Sequence, residues 1–249
     1  METGGKAMLD AANVARSASY SSFREEDMAS AKFTNIVLFG PPGVGKGAQA
    51  SILCHRHALP HLATGEVIRD EIKKGSELGK RVQEAVGRGE FADDETVLDI
   101  IMHSIDLPEL QAGFVMDGFP RNLIQARRLD EMMAERGREI DCALFLSADS
   151  KVVLERLHGR RICANCSATY HKEYKRPSIH GICDDCGGKV IRRHDDSPEV
   201  FQQRLDAYQQ KTAPLFEFYQ KAGKLSEVDA ARTIDEVAAE IYRVITADE

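Results

Sequence analysis

A glycine-rich stretch, residues 40–46 with the sequence GPPGVGK, has the residue types of a phosphate-binding loop. It follows the short apolar run 35–39 and precedes a segment, Lys46 to Arg56, with the pattern of a helix. In this strand–loop–helix order, backbone N–H groups and the positive end of the helix surround phosphates. The lysine adds a mobile positive charge. We therefore expect phosphate binding, with Lys46 beside the phosphoryl group.

The loop lacks one usual component of a nucleoside triphosphate site. P-loops commonly follow the lysine with Ser or Thr, whose hydroxyl binds the Mg²⁺ of the nucleotide. Here Gly47 and Ala48 follow, and neither has a side-chain oxygen. Asp117 ends the apolar run 113–117, and a carboxylate at the end of a buried strand is placed to face a metal-bound nucleotide. The competing interpretation of Asp117 is an N-cap of the next helix.

Four cysteines form two C-x₂-C pairs separated by 16 residues: Cys163, Cys166, Cys183 and Cys186. Two such pairs are typical of a tetrahedral zinc site, and four protein ligands leave no open position for catalysis. We expect a structural Zn²⁺ that replaces the apolar core this polar segment lacks. A redox pair of dithiols and a zinc ribbon that reads nucleic acid are the alternatives.

Alternating strands and helices are predicted to position these residues. The apolar runs 35–39, 113–117 and 141–146 have the length of buried parallel strands, and segment 122–136 has helical spacing. This alternation predicts an α/β fold, in which a parallel sheet carries helices on both faces and binds ligands at the carboxyl ends of its strands.

Two segments interrupt the alternation. Residues 64–93 are mostly helical in pattern and charged, and residues 159–196 contain the four cysteines and many turn residues. Beyond them, the pattern predicts one long helix over 198–219, a last strand over 225–229 and a closing helix over 234–245.

The composition argues against nucleic-acid and membrane partners. The formal net charge is −7, whereas surfaces that bind nucleic acid are basic. No apolar run approaches the roughly 18 residues of a membrane span. Residues 1–32 carry acids, unlike an organelle transit peptide, so we expect a flexible extension of a cytoplasmic protein, with a mitochondrial location as the alternative. Cys54 and Cys142 lie in apolar-periodic segments and are expected to be buried.

After Lys32 the sequence resembles the adenylate kinases. The motifs that carry the resemblance are Gly43-Val-Gly-Lys-Gly47, Leu62-Ala-Thr-Gly-Glu66 with Arg69, Asp117-Gly-Phe-Pro-Arg121 with Gln125, and the four cysteines. The cysteines match family members that have a long, zinc-binding lid. The resemblance implies a P-loop NTPase-type fold, in which a five-stranded parallel sheet has helices on both faces. It also implies an inserted helical AMP-binding segment and an inserted zinc-binding lid.

Several positions depart from the family pattern. Ala48 stands where Thr is usual, which removes a hydroxyl near the phosphates and magnesium. The resemblance implies that Mg²⁺ is held mainly by the phosphates and by waters on acids such as Asp117. Asn122 replaces a Thr that is common in adenylate kinases, and at this position the chain resembles the UMP/CMP kinases. The UMP/CMP kinases, however, have an Asp-Asn pair where this chain has Ile124 and Gln125. That difference favours AMP as the acceptor.

The resemblance also implies boundaries within the chain. Residues 1–32 are expected to be the extension and residues 33–249 the kinase domain. The core of that domain is expected at 33–62, 94–158 and 197–249, the AMP-binding segment at 63–93, and the lid at 159–196.

The resemblance assigns roles to individual residues, with Arg156 packing on the donor adenine. The expected ATP contacts are Gly43, Val44, Gly45, Lys46, Gly47, Ala48, Arg156, Arg160, Thr169, Tyr170 and Arg232. The expected AMP contacts are Thr64, Arg69, Glu90, Phe91, Ala92, Gly118, Phe119, Pro120, Arg121, Gln125, Arg193 and Arg204. The residues expected to act on the transferred group are Lys46, Asp117, Arg121, Arg160, Arg193 and Arg204. The residues expected to engage the arginines as the lid closes are Asp195 and Asp196.

The implied reaction is ATP + AMP ⇌ 2 ADP in a monomer, with Mg²⁺ on the nucleotide and Zn²⁺ in the lid. Such transfer requires alignment of two nucleotides and neutralisation of phosphate oxygens, and no general base. A GTP:AMP phosphotransferase is the nearest alternative. A nucleotide-binding regulator that lost activity through Ala48 is the alternative from another class of protein.

Overall fold

The fold is given by a computed structural model, which describes residues 32–87, 93–166, 168–192 and 198–246. The strands are β1 (Asn35–Phe39), β2 (His61–Ala63), β3 (Phe114–Asp117), β4 (Cys142–Ser147), β5 (Arg160–Cys163), β6 (Thr169–His171), β7 (Val190–Ile191) and β8 (Leu225–Asp229). The helices are α1 (Lys46–His57), α2 (Thr64–Lys74), α3 (Glu77–Gly87), α4 (Asp94–Ile105), α5 (Leu123–Glu135), α6 (Ser150–Gly159), α7 (Pro198–Ala207), α8 (Leu215–Lys221) and α9 (Ile234–Thr246). A 3₁₀ turn covers Pro108–Leu110, and a π-helical turn covers Tyr208–Thr212.

The main sheet has five parallel strands in the order β2-β3-β1-β4-β8. Asp117 pairs in register with Leu38 of β1 and with Ala63 of β2, so the carboxyl ends of the three strands are level. The predicted α/β fold with a five-stranded parallel sheet is confirmed. Apolar patterning alone does not reveal β2, because a strand of three residues is too short to show a period.

Helices cover both faces of this sheet, as predicted. Val37 and Phe39 of β1 pack into one cluster with residues of α4, α5 and α8. Ile36 and Leu38 pack into the opposite cluster with residues of α1 and α9. Because successive side chains of a strand point to opposite faces, an unbroken apolar run such as β1 requires cover on both sides.

The long helix predicted over 198–219 is wrong in its continuity. Helix α7 ends at Ala207, the π-helical turn follows, and α8 begins at Leu215, directly after Pro214. Proline lacks a backbone N–H and its ring clashes with the preceding turn, so a regular helix does not run through it. The helix predicted over 46–56 is confirmed within one residue.

A second, antiparallel sheet with the strand order β6-β5-β7 forms the centre of the segment that contains the four cysteines. Cys54 and Cys142 lie in the main core, as expected for small apolar residues. Among the described residues, every helix is too short or too polar to cross a membrane.

Candidate active site

The P-loop turns sharply between β1 and α1, at the carboxyl end of the sheet. Gly40 has a φ of +143°, and a Cβ there would lie 2.3 Å from the carbonyl oxygen of Leu146 on β4. Gly43 has a φ of +86°, and a Cβ there would lie 2.9 Å from Leu157. Only glycine fits both the backbone conformation and the space. The loop is thus pressed against β4 and α6, and α1 begins without a side-chain cap.

Lys46 lies in the P-loop and interacts electrostatically with three arginines and one acid. Its Nζ donates to the carbonyl oxygens of Gly40 at 2.9 Å and Pro41 at 3.0 Å. Burial lowers the pKa of Lys46 to about 8, and Arg204, Arg121 and Arg160 act in the same direction. Asp117 opposes that shift. The three predicted arginines and the predicted aspartate therefore all lie within electrostatic range of the predicted catalytic lysine, although they come from separate elements.

Asp117 faces the P-loop from the end of β3. A Cβ built on Gly47 would lie 3.4 Å from its Oδ2. The N-cap of α5 is Asn122, whose side chain accepts a hydrogen bond from the backbone N of Gln125, so the N-cap interpretation of Asp117 is wrong. A carboxylate beside the phosphate loop is the hard oxygen ligand that Mg²⁺ prefers. The donor set therefore fits a metal that enters with a nucleotide.

Thr64 is the first residue of α2 and directly follows β2. The N-cap of α2 is Ala63 rather than Thr64. The Thr64 side chain is buried, and its Oγ1 has no hydrogen-bond partner among the described residues. A buried hydroxyl without a partner costs about 1–3 kcal/mol. This position therefore fits a contact that a ligand completes.

Glu66 and Arg69 follow Thr64 in the first two turns of α2. A Cβ on Gly65 would lie 3.3 Å from Arg69 Nη1, so the guanidinium folds back towards the start of the helix. Burial raises the pKa of Glu66 above its usual value, and the interaction with Arg69 opposes part of that shift. The predicted phosphate-binding arginine is thus close to the predicted base-binding threonine.

The segment after β3 forms a tight loop that presents Arg121. Its Nε donates to the Gly118 carbonyl oxygen at 2.8 Å, and its backbone N donates to Gln125 Oε1 at 2.7 Å. Phe119 packs in the main core, so its side chain anchors the loop and its backbone is the part near the site. Gln125 is buried, and its amide also donates to Asp94. Sequence reasoning missed Asp94, because an acid at the start of a helix is ordinary.

Arg156, which is predicted to contact the donor adenine, also forms hydrogen bonds within the protein. Its Nη1 donates to the carbonyl oxygens of Val44 at 3.0 Å and Ala230 at 2.6 Å, and its Nη2 donates to that of Arg232 at 2.9 Å. The guanidinium thus joins the P-loop to the segment after β8. Arg232 itself forms ion pairs with Glu240 and Asp229.

The four lid cysteines lie together, with their sulfur atoms all within 4.8 Å of one another. Cys163 Sγ is 3.5 Å from Cys186 Sγ, and Cys166 Sγ is 3.6 Å from Cys183 Sγ. The short distances therefore cross from one C-x₂-C pair to the other. Four converging thiols suit a tetrahedral metal with thiolate ligands.

Tyr170 belongs to this cysteine cluster. Its side chain is 3 % exposed, its hydroxyl donates to Cys183 Sγ at 3.3 Å, and the backbone N of Asp184 donates to the hydroxyl at 2.8 Å. The Tyr170 ring is therefore enclosed in the lid beside the cysteines, and Tyr170 remains a predicted ATP contact. Thr169, the preceding residue, is exposed.

Some predicted residues lie outside the described part of the chain. They are the proposed AMP contacts Glu90, Phe91 and Ala92, the proposed catalytic Arg193, the proposed lid acids Asp195 and Asp196, and residues 1–31 of the extension.

A phosphate loop at the carboxyl end of a parallel sheet, with a lysine in it and a carboxylate beside it, is typical of the class of P-loop nucleotide kinases. The model of the family described as "Adenylate kinase" matches residues 38–224. The chain belongs to the adenylate kinase family. This result confirms the resemblance seen in the sequence.

Curated relatives support the same assignment. The adenylate kinase of Acetivibrio thermocellus is 40% identical over 211 residues, which cover 85% of this chain and 97% of the relative. That of Chloroherpeton thalassium is 41% identical over 213 residues, covering 85% and 98%. That of Archaeoglobus fulgidus is 39% identical over 211 residues, covering 85% and 97%. These relatives do not favour the GTP-dependent or regulatory alternatives.

Proposed function

We propose that this enzyme catalyses the reversible, Mg²⁺-dependent transfer of the terminal phosphoryl group of ATP to AMP, giving two ADP. The observation that carries the proposal is that Asp117, Arg121, Arg160 and Arg204 all interact electrostatically with Lys46, the lysine of the P-loop. Phosphoryl transfer needs positive charge around oxygens that become more negative, and it needs two nucleotides aligned in one line. The positive groups near the P-loop support this proposal, and the proposed transfer has no covalent intermediate.

The donor triphosphate is proposed to bind in the P-loop. Backbone N–H groups of residues 43–48 bind the phosphates, and Lys46 leaves the Gly40 and Pro41 carbonyl oxygens to reach the transferred group. Arg156 keeps the loop in place through its bond to the Val44 carbonyl oxygen. Arg156 and Arg232 border the space for the donor base, and Thr169 and Arg160 approach it from the lid.

AMP is proposed to bind between α2 and the loop after β3. Thr64 Oγ1 gains a partner from the ligand, Arg69 and Arg121 bind the phosphate, and Gln125 reads the base. The backbone of Gly118, Phe119 and Pro120 is proposed to line the AMP site on the side of the loop after β3. Glu90, Phe91, Ala92 and Arg193 remain proposed contacts.

Asp117 is proposed to hold the Mg²⁺ that enters with the nucleotide, and this ion neutralises charge on the phosphate oxygens. The four lid cysteines are proposed to hold a structural Zn²⁺, which takes no part in the transfer. The lid, residues 159–196, is proposed to close over the bound pair and to exclude water, since an open site would hydrolyse ATP. The enzyme is proposed to act as a monomer.

The test is a panel of donors and acceptors given to purified, zinc-loaded protein. Mg·ATP or Mg·GTP is mixed with AMP, CMP, UMP or dTMP, and the products are separated by chromatography. We expect ADP from ATP and AMP alone, with two ADP formed for each AMP consumed. Faster transfer from GTP would contradict the proposed donor, and absence of product from protein that binds ATP would contradict the enzymatic proposal.

A further inference from the structure

Asp94 links the amide side chains that follow the Arg121 loop. Its Oδ1 accepts a hydrogen bond from Gln125 Nε2 at 2.7 Å. Asn122 Nδ2 lies 3.0 Å from Asp94 Oδ1 and 3.0 Å from Oδ2. Asn122 also caps α5, because its Oδ1 accepts from the backbone N of Gln125 at 2.9 Å. The three side chains form one network between the starts of α4 and α5.

The partners of Gln125 fix which end of its amide is the donor. The backbone N–H of Arg121 can only donate, and it donates to Oε1 at 2.7 Å. An ionised carboxylate can only accept, and Asp94 accepts from Nε2. A flipped amide would place donor against donor and acceptor against acceptor. Because Gln125 is 4 % exposed, water would not relieve that mismatch.

The fixed amide still has hydrogen-bonding capacity. After the bonds to Asp94 and Arg121, Nε2 has one further proton and Oε1 has one further acceptor position. Adenine presents an acceptor, N1, next to a donor, the 6-amino group, and this pair complements an oriented amide. Hypoxanthine presents a 6-oxo acceptor next to an N1–H donor, so the same amide opposes both groups.

We propose that Asp94 is a positioning residue that sets base selectivity at the acceptor site, by holding the Gln125 amide in the orientation that suits a 6-aminopurine and opposes a 6-oxopurine. This inference rests on the proposed function, in which Gln125 reads the acceptor base. Asp94 acts through Gln125, and it also holds the helix cap Asn122, but it does not touch the reacting atoms.

The test compares Asp94→Asn with Glu95→Gln. Asparagine keeps the shape of the aspartate but offers both a donor and an acceptor, so residue 94 no longer opposes a flipped Gln125 amide and only the Arg121 N–H still does. Glu95 is exposed in the same first turn of α4, and its substitution removes the same charge from the same helix end. Steady-state kcat and KM are measured for AMP and for IMP with saturating Mg·ATP, and KM for ATP is measured with saturating AMP.

We expect Asp94→Asn to raise the KM for AMP about tenfold and to reduce the AMP:IMP ratio of kcat/KM by at least about tenfold. The KM for ATP should stay within about twofold of its value in the unsubstituted enzyme, because the bond between Asp94 and Gln125 lies at the proposed AMP site and not at the P-loop. Glu95→Gln should change none of these values. Asp94→Glu, which keeps an acceptor-only group, should restore much of the selectivity even where Asp94→Asn lowers stability.

The Gln125→Ala variant separates this inference from the proposed function. If Gln125→Ala raises the KM for AMP and Asp94→Asn leaves both KM and selectivity unchanged, Gln125 reads the base and the inference about Asp94 is overturned. If neither variant changes the KM for AMP, Gln125 does not read the base, and both claims fail. Equal effects of Asp94→Asn on AMP, IMP and ATP would indicate a purely structural role and would also overturn the inference.

Discussion

Asp117 lies directly against Gly47, the residue that follows the P-loop lysine: a Cβ on Gly47 would be 3.4 Å from Asp117 Oδ2. In many P-loops a Ser or Thr at this position binds Mg²⁺ through its hydroxyl. Here the glycine leaves that space open, and a carboxylate from the neighbouring strand reaches it. The absence of a hydroxyl at both Gly47 and Ala48 is therefore compatible with a metal-dependent reaction.

The first prediction concerns Asp117. Asp117→Asn keeps the shape of the side chain but removes the charge that Mg²⁺ binds, so kcat should fall by about 10²–10³. The measurement is kcat with saturating Mg·ATP and AMP. Asp130→Asn, on α5, is the control and should leave kcat unchanged. Loss of less than about twofold in Asp117→Asn would remove the proposed metal role.

The pH dependence of ATP binding should report Lys46. Burial lowers the pKa of its ammonium group to about 8 in the ligand-free protein. The group is charged below this pH and neutral above it, so kcat/KM for ATP should decrease as pH rises through about 8. Bound phosphates hold the proton on Lys46, so kcat should stay flat over the same range. The Lys46→Arg variant should be slower and should lack this step, and a step that persists in it would assign the titration to another group.

Thr64→Val tests whether the unpaired hydroxyl serves a ligand. Removing a buried hydroxyl that has no partner should leave the free energy of unfolding unchanged or raise it by about 1 kcal/mol. The KM for AMP should rise about fivefold, since a hydrogen bond to the ligand is worth about 1 kcal/mol.

Thr96→Val is the matched control for that experiment. Thr96 is equally buried, but its Oγ1 donates to Asp93 Oδ2 at 2.8 Å. This variant should lose stability and keep its KM for AMP. If Thr64→Val instead loses stability and keeps its KM, the hydroxyl has a partner within the protein and no ligand role.

Tyr170→Phe should weaken metal retention in the lid. Its hydroxyl donates a hydrogen bond to Cys183 Sγ, and a hydrogen bond to a ligand sulfur orients that sulfur towards the metal. Zinc transfer to a chromophoric chelator should become about tenfold faster, while kcat of the zinc-loaded enzyme should remain the same. The control is Tyr174→Phe, an identical change at an exposed tyrosine of the same lid. Equal zinc release from both variants would show that the Tyr170 hydroxyl does not support the site.

Local sequence patterns predict the features of this protein that depend on residues close together in the chain. The P-loop follows a strand and begins a helix, and the two cysteine pairs have the spacing of one metal site. The positions of Arg156 and Asp94 depend on contacts between distant segments, so residue type and spacing do not reveal them. Arg156 reaches Val44 across 112 residues, and Asp94 reaches Gln125 across 31.

Tyr170 shows a second limit of the sequence. Residue type and spacing do not reveal that the Tyr170 side chain packs against the lid cysteines. Its burial and the direction of its hydroxyl come from the packing of β6 against the cysteines. The break at Pro214 is different, because the proline itself predicts an interruption of the helix over 198–219.

The most direct measurement follows the transferred group itself. ATP labelled at its terminal phosphoryl group is mixed with Mg²⁺, AMP and the purified protein, and the labelled products are separated. We expect the label in ADP, at the position gained by AMP, with little release as inorganic phosphate, and we expect this transfer to be lost in Lys46→Met. Label that appears mainly as inorganic phosphate, or transfer that persists in Lys46→Met, would contradict phosphoryl transfer by Lys46 and the arginines that interact with it.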